Sequence, residues 1–266
     1  MGSAAAYGRI LAAQVRSQAQ YRTSFALDLG GSVLFGILDI ASILVLFRVV
    51  RTIGGFAFTE VFLMATLAST AFALADVSVG NVERVRVYVR SGLLDAVLVR
   101  PLGVLAQLTV IDVAPRRVGR VVFCVAMLAV AVAHAPLVLT PGAVALLIVT
   151  PIAGAVIFGA LFVATATVAF WWIESGEIAN GLTYGGHDFT QYPMTIYGAL
   201  FRRLFAYGIG FAFVAYYPAL TFLDRPDPLG GPAVLGYVAP LVAAIVAGAA
   251  ALLWRTGVRH YRSAGS

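Results

Sequence analysis

The chain has 266 residues, 61% of them hydrophobic and 11% charged, with a mean hydropathy of +0.93. A soluble domain carries about 25% charged residues, so this chain lacks the polar groups to cover itself in water. A soluble enzyme and a disordered protein are both excluded. The net charge is +6, all 18 basic residues are arginine, and Cys124 is the single cysteine. Without lysine there is no P-loop lysine to reach nucleotide phosphates, and one cysteine permits neither an intrachain disulfide nor a cysteine-rich metal site. On a membrane protein such an arginine excess points to lipid headgroups, not to nucleic acid.

Residues 1–22 predict a helix lying on the membrane. Tyr7, Ile10, Leu11, Val15 and Ala19 recur at helical spacing, while Arg9, Gln14, Arg16 and Gln18 form a polar face. The first long apolar run follows this segment and lacks a small-residue cleavage site, so no signal peptide is expected. A spanning helix needs about 20 mostly apolar residues. Residues 24–49 supply the first, interrupted by Asp28 and Asp39, and residues 61–80 the second, with Asp76 near its end. Residues 121–173 carry no formal charge and are too long for one span. Two spans are expected there, joined at His134-Ala135-Pro136 and Thr140-Pro141-Gly142. Residues 204–223 and 233–254 give the fifth and sixth. The fold class is all-α: a polytopic membrane protein with six transmembrane helices in residues 23–266.

Six spans put both termini on one side, and the arginines indicate which. Arg9, Arg16, Arg22, seven arginines between Arg84 and Arg120, Arg202, Arg203, Arg255, Arg259 and Arg262 make fifteen on that side; Arg48, Arg51 and Arg225 remain on the other. The positive-inside rule makes the richer side cytoplasmic. Two cytoplasmic loops are then expected, at 81–120 and 174–203.

The first loop holds Leu94 and Leu98 four residues apart on one helical face, between Gly92 and Pro101. Spacing alone leaves two readings of this short helix, a docking knob for another protein and a helix resting on headgroups. The second loop is rich in turn formers (Ser175-Gly176, Asn180-Gly181, Gly185-Gly186) and then becomes aromatic. His187 and Asp188 are adjacent, but neighbours on a chain seldom aim at one target. An acid at a helix centre costs roughly 2.5–3.5 kcal/mol on insertion scales, which singles out Asp39 as the deepest of the three. Asp28 and Asp76 lie nearer an interface, where Arg22 or Arg84 could partner them. Aromatic residues crowd the fifth span, and Asp39, Tyr207 and Phe211 together are a candidate translocation path.

The segment Gly92-Leu93-Leu94-Asp95-Ala96-Val97-Leu98-Val99-Arg100-Pro101-Leu102 resembles the cytoplasmic G-x-L-D-x-x-L-x-R-P-L motif of ABC-2 type transporter permeases. Tyr192-Pro193-Met194-Thr195-Ile196-Tyr197 and Phe213-Val214-Ala215-Tyr216-Tyr217-Pro218-Ala219 are similar to stretches of its six-span bacterial branch. The resemblance implies a type V exporter-like arrangement in the bacterial cytoplasmic membrane. Two permease subunits, identical or homologous, would form the path, and two copies of a separate ATP-binding subunit would dock beneath them. The 90–102 segment would be the coupling helix, with Gly92, Leu93, Leu94, Asp95, Leu98, Arg100 and Pro101 at or supporting the contact. Asp188, Tyr192 and Pro193 would form a secondary one. No cofactor is expected in this chain, because ATP and Mg would sit on the partner.

Three functions are weighed from the sequence. The first is an ATP-driven permease exporting a hydrophobic or amphipathic compound. The second is a proton-linked secondary transporter using Asp39, which lacks the inverted repeats such proteins show. The third is a membrane-embedded enzyme. It lacks a clustered catalytic set, since His134, His187 and His260 fall on separate segments.

Overall fold

The computed structural model describes residues 22–100, 103–110, 115–137 and 140–261. The expected surface helix over residues 1–22 lies almost entirely outside them. The described residues form helices joined by turns and short irregular stretches, with an isolated antiparallel bridge, Ile53 to Phe56, closing the turn between the first two helices.

Helix α1 (Arg22–Val49) runs beside α5. Helix α2 (Phe58–Arg90) is the centre of the bundle, almost wholly buried from Val61 to Asp76. Two short helices follow, α3 (Leu93–Leu98) and α4 (Val104–Val110). Next come α5 (Arg117–His134) and α6 (Pro141–Phe170). Helix α6 starts on the expected breaker: Thr140 accepts the Ala143 amide at 3.2 Å and Pro141 occupies the first turn, where its missing N–H costs nothing. The last elements are α7 (Gly176–Thr190), α8 (Ala199–Ile209), α9 (Phe211–Phe222) and α10 (Ala239–His260). Helix α2 packs on α5 at one flank and α6 at the other, and α10 covers α6. The outer faces of α5 and α10 are mostly exposed apolar surface, as lipid or a partner subunit requires.

Among the described residues four helices are long and apolar enough to cross a membrane: α2, α5, α6 and α10. The pair α8 and α9 makes a fifth only if counted together, and it is bent by 69°. The single straight span expected over 204–223 is therefore not observed. The bend sits at Gly210, whose φ of +96° other residues avoid. The tip of the pair is driven inward: an added Cβ at Gly186 on α7 would meet the Phe211 ring at 2.4 Å, and Phe211 also packs against Phe158 of α6.

The region expected as a loop over 174–203 is likewise a helix for half its length. Its turn-forming pairs Asn180-Gly181 and Gly185-Gly186 lie inside α7, where Gly186 leaves room for the Phe211 ring. Helix α7 runs antiparallel to α2, as a series of contacts shows. Glu174 pairs with Arg90. Tyr184 donates to Glu83 at 3.3 Å, and His187 meets Ser69 at 3.3 Å. Beyond the helix, Thr195 donates to the Gly54 carbonyl at 2.9 Å. The bundle thus has a Gly92 end and a Gly54 end, and α7 joins them.

Candidate functional site

At the Gly92 end the chain reverses on Gly92, whose φ is +71°. Leu94 and Val97 then point into the protein's own core, 1% and 4% exposed, while Leu93, Leu98 and Val99 stay on the surface with Arg100. Leu94 and Leu98 therefore do not share one presented face, since Leu94 is buried and Leu98 exposed. Leu94 anchors the helix, and Leu93, Leu98 and Val99 form its outer side. Gln107 of α4 donates to the Val97 carbonyl at 3.1 Å, fixing the turn that follows. Burial first, and the nearby Asp95 carboxylate second, raise the pKa of Tyr261, just past α10. Pro101 lies outside the described residues.

Asp188, Tyr192 and Pro193 are not brought to this surface. They lie at the other end of α7, beside Thr195 and the Gly54 turn. Arg202 is there too, bonded to the Tyr197 carbonyl at 2.7 Å, and Tyr197 donates to the Phe189 carbonyl at 3.1 Å. Burial raises the Tyr197 phenol above its ordinary range, which keeps that donor protonated. Sequence reasoning missed Arg225. Its guanidinium holds both carboxylate oxygens of Glu60 at 2.8 Å, donates to the Gly55 carbonyl at 3.2 Å and lies 4.4 Å above the Phe56 ring. This fork fastens the loop after α9 to the α1–α2 turn.

Between α1, α2, α5 and α7 lies a cavity of about 230 Å³, lined among others by Asp39, Phe62, Ser69, Phe72, Arg120 and His187. His187 bonds Ser69 and approaches Gln191 at 3.4 Å, Asp188 at 3.5 Å and the Phe72 ring at 4.5 Å. Tyr207 and Phe211 do not join Asp39 there: Tyr207 meets Tyr217 at 3.4 Å, and Phe211 is buried against Phe158. Asp76 finds its ion-pair partners on α5, Arg117 at 3.1 Å and Arg120 at 3.8 Å. Hydrophobicity finds such acids, but not the helix that supplies their partners.

Residues 33–265 match the family described as ABC-2 family transporter protein. The chain belongs to that family. No curated protein and no solved structure matches it at comparable significance. Family membership makes this ABC-2 protein a multi-pass membrane component of a transporter, and it implies an ATP-binding partner in general terms. Of the three functions weighed from the sequence, it favours the first as far as a membrane component of an ABC-2 transporter.

Proposed function

We propose that this ABC-2 protein is one permease of an ATP-driven exporter of a hydrophobic or amphipathic compound. It pairs with a second permease, identical or homologous, in a bacterial cytoplasmic membrane. ATP and Mg are held by two copies of a separate ATP-binding subunit, which dock at the Gly92 end through the 90–102 segment. The supporting observation is the form of α3: Leu94 and Val97 are sunk into the core while Leu93, Leu98 and Val99 are left outside. A helix fixed from behind and apolar in front can receive a push and pass it to α2.

In this reading the chain crosses the membrane six times, at α1, α2, α5, α6 and α10 and at the segment 174–195, whose 15-residue helix α7 is too short to cross alone and packs against α2 and α6. The pair α8–α9 is a re-entrant hairpin at the Gly54 end, and both termini are cytoplasmic. Moving Arg202 and Arg203 to the outer side changes the arginine balance from fifteen against three to thirteen against five, which the positive-inside rule still accepts.

The test is co-expression with an ATP-binding subunit encoded beside the gene, followed by co-purification and ATPase assay. Leu98→Arg and Val99→Asp should release the subunit and abolish any permease-dependent ATPase activity while leaving the permease folded. Undiminished co-purification of both variants would remove α3 from the interface.

A further inference from the structure

The cavity between α1, α2, α5 and α7 contains one carboxylate, Asp39 on the exposed side of α1, that Arg120 and His187 act on only through space. Among the described residues no basic side chain comes within ion-pair distance of Asp39, although it sits mid-helix in α1 and lines the cavity. The two cationic candidates nearby are engaged elsewhere. Arg120 pairs with Asp76, which Arg117 holds as well. His187 is held by Ser69, Gln191 and Asp188. A carboxylate inside a membrane protein calls for a counter-charge. The facing walls suit a cation with an apolar body, because Phe62, Phe72 and Phe123 line the same space and aromatic faces attract positive charge. A cavity of about 230 Å³ lies below the roughly 300–1,000 Å³ usual for drug-sized ligands, on the scale of a small single-ring compound.

We propose that this cavity binds a small organic monocation carrying an aromatic ring, with Asp39 as its counter-ion. The proposal rests on the exporter reading, for which it names a substrate class.

The experiment is equilibrium dialysis of the full-length chain, in detergent micelles, against benzyltrimethylammonium and against phenylmethanesulfonate, an anion of similar shape. Wild type should bind the cation and not the anion. Asp39→Asn should weaken cation binding at least tenfold, and Ala65→Leu, which fills the cavity from α2, should abolish it. Cation binding that Asp39→Asn leaves unchanged, equal binding of the anion, or no cation binding at all would overturn the proposal. If Asp39→Asn elutes as aggregate, Ala65→Leu decides: cation binding retained there overturns it. Because the assay needs no ATP-binding subunit, its failure leaves the docking reading intact, and failure of co-purification leaves the cavity standing.

Discussion

Asp76 of α2 and Arg117 of α5 form an ion pair at 3.1 Å in which the carboxylate side chain is 8% exposed and the guanidinium 13%. Arg117 also donates to Asn81 at 2.6 Å, and Asn81 in turn donates to the Thr109 carbonyl of α4 at 3.2 Å. Removing one member of a buried pair strands the other, which costs about 3–5 kcal/mol. Asp76→Asn and Arg117→Gln are each expected to lower the thermal unfolding temperature of the purified chain markedly. The double variant should lose less than the sum of the two. Strict additivity would mean that the pair contributes nothing jointly.

The placement of Thr195 beside Gly54 has a direct labelling consequence. With Cys124 replaced by alanine, cysteine introduced at Thr195 should react with a membrane-impermeant maleimide from the same face as cysteine at Arg51. Cysteine at Val99 should react only from the opposite face. Labelling of positions 195 and 99 from one face would restore a loop over 174–203.

Gly92 carries a positive φ, and a Cβ there would meet no neighbouring atom within 4 Å. The cost of Gly92→Ala is therefore backbone strain alone, about 1 kcal/mol. Stability should fall by that amount, while permease-dependent ATPase activity falls more steeply because α3 loses its set. Equal loss of both would reduce Gly92 to a structural turn.

The Arg225 fork on Glu60 makes a third contrast possible. Arg225→Lys keeps the charge but cannot hold both oxygens and the Gly55 carbonyl together. The side chain is 33% exposed, so screening keeps the expected loss to about 1 kcal/mol. Hydrogen exchange at residues 53–60 should quicken, with α10 unaffected. Unchanged exchange at that turn would show that the fork does not hold it.

The spans α2, α5, α6 and α10 were legible because apolar runs and Pro-Gly breakers are read in the same way by lipid and by the eye. Helix α7 was hidden. Its glycines spell turns under the rules of water, whereas between helices they make room: Gly186 accepts the Phe211 ring and Gly176 lies under Arg86. The segment 204–223 misled in the opposite direction. Its composition suits a span, but a single glycine at 210 in the left-handed region folds it back. Leu94 and Leu98 were correctly seen as neighbours on a helix. Which of the two faces inward depends on what stands behind α3, and no local spacing encodes that. Asp39 was singled out for its cost in lipid, and the residues around it come from helices far apart in sequence.

Helix α2 has 33 residues, about 50 Å of rod at 1.5 Å per residue. Pivoted near its middle through about 5°, it would swing each tip by about 2 Å. The rod contains a weak point, the tightly wound turn Gly80–Arg84, of a kind that often serves as a hinge. Arg117 grips Asp76 on one side of that joint and Asn81 within it, as a splint grips a bone across a fracture. If α3 receives the push of the proposed ATP-binding subunit, torque at Gly92 passes the joint toward Glu60 and the Arg225 fork instead of being spent in bending.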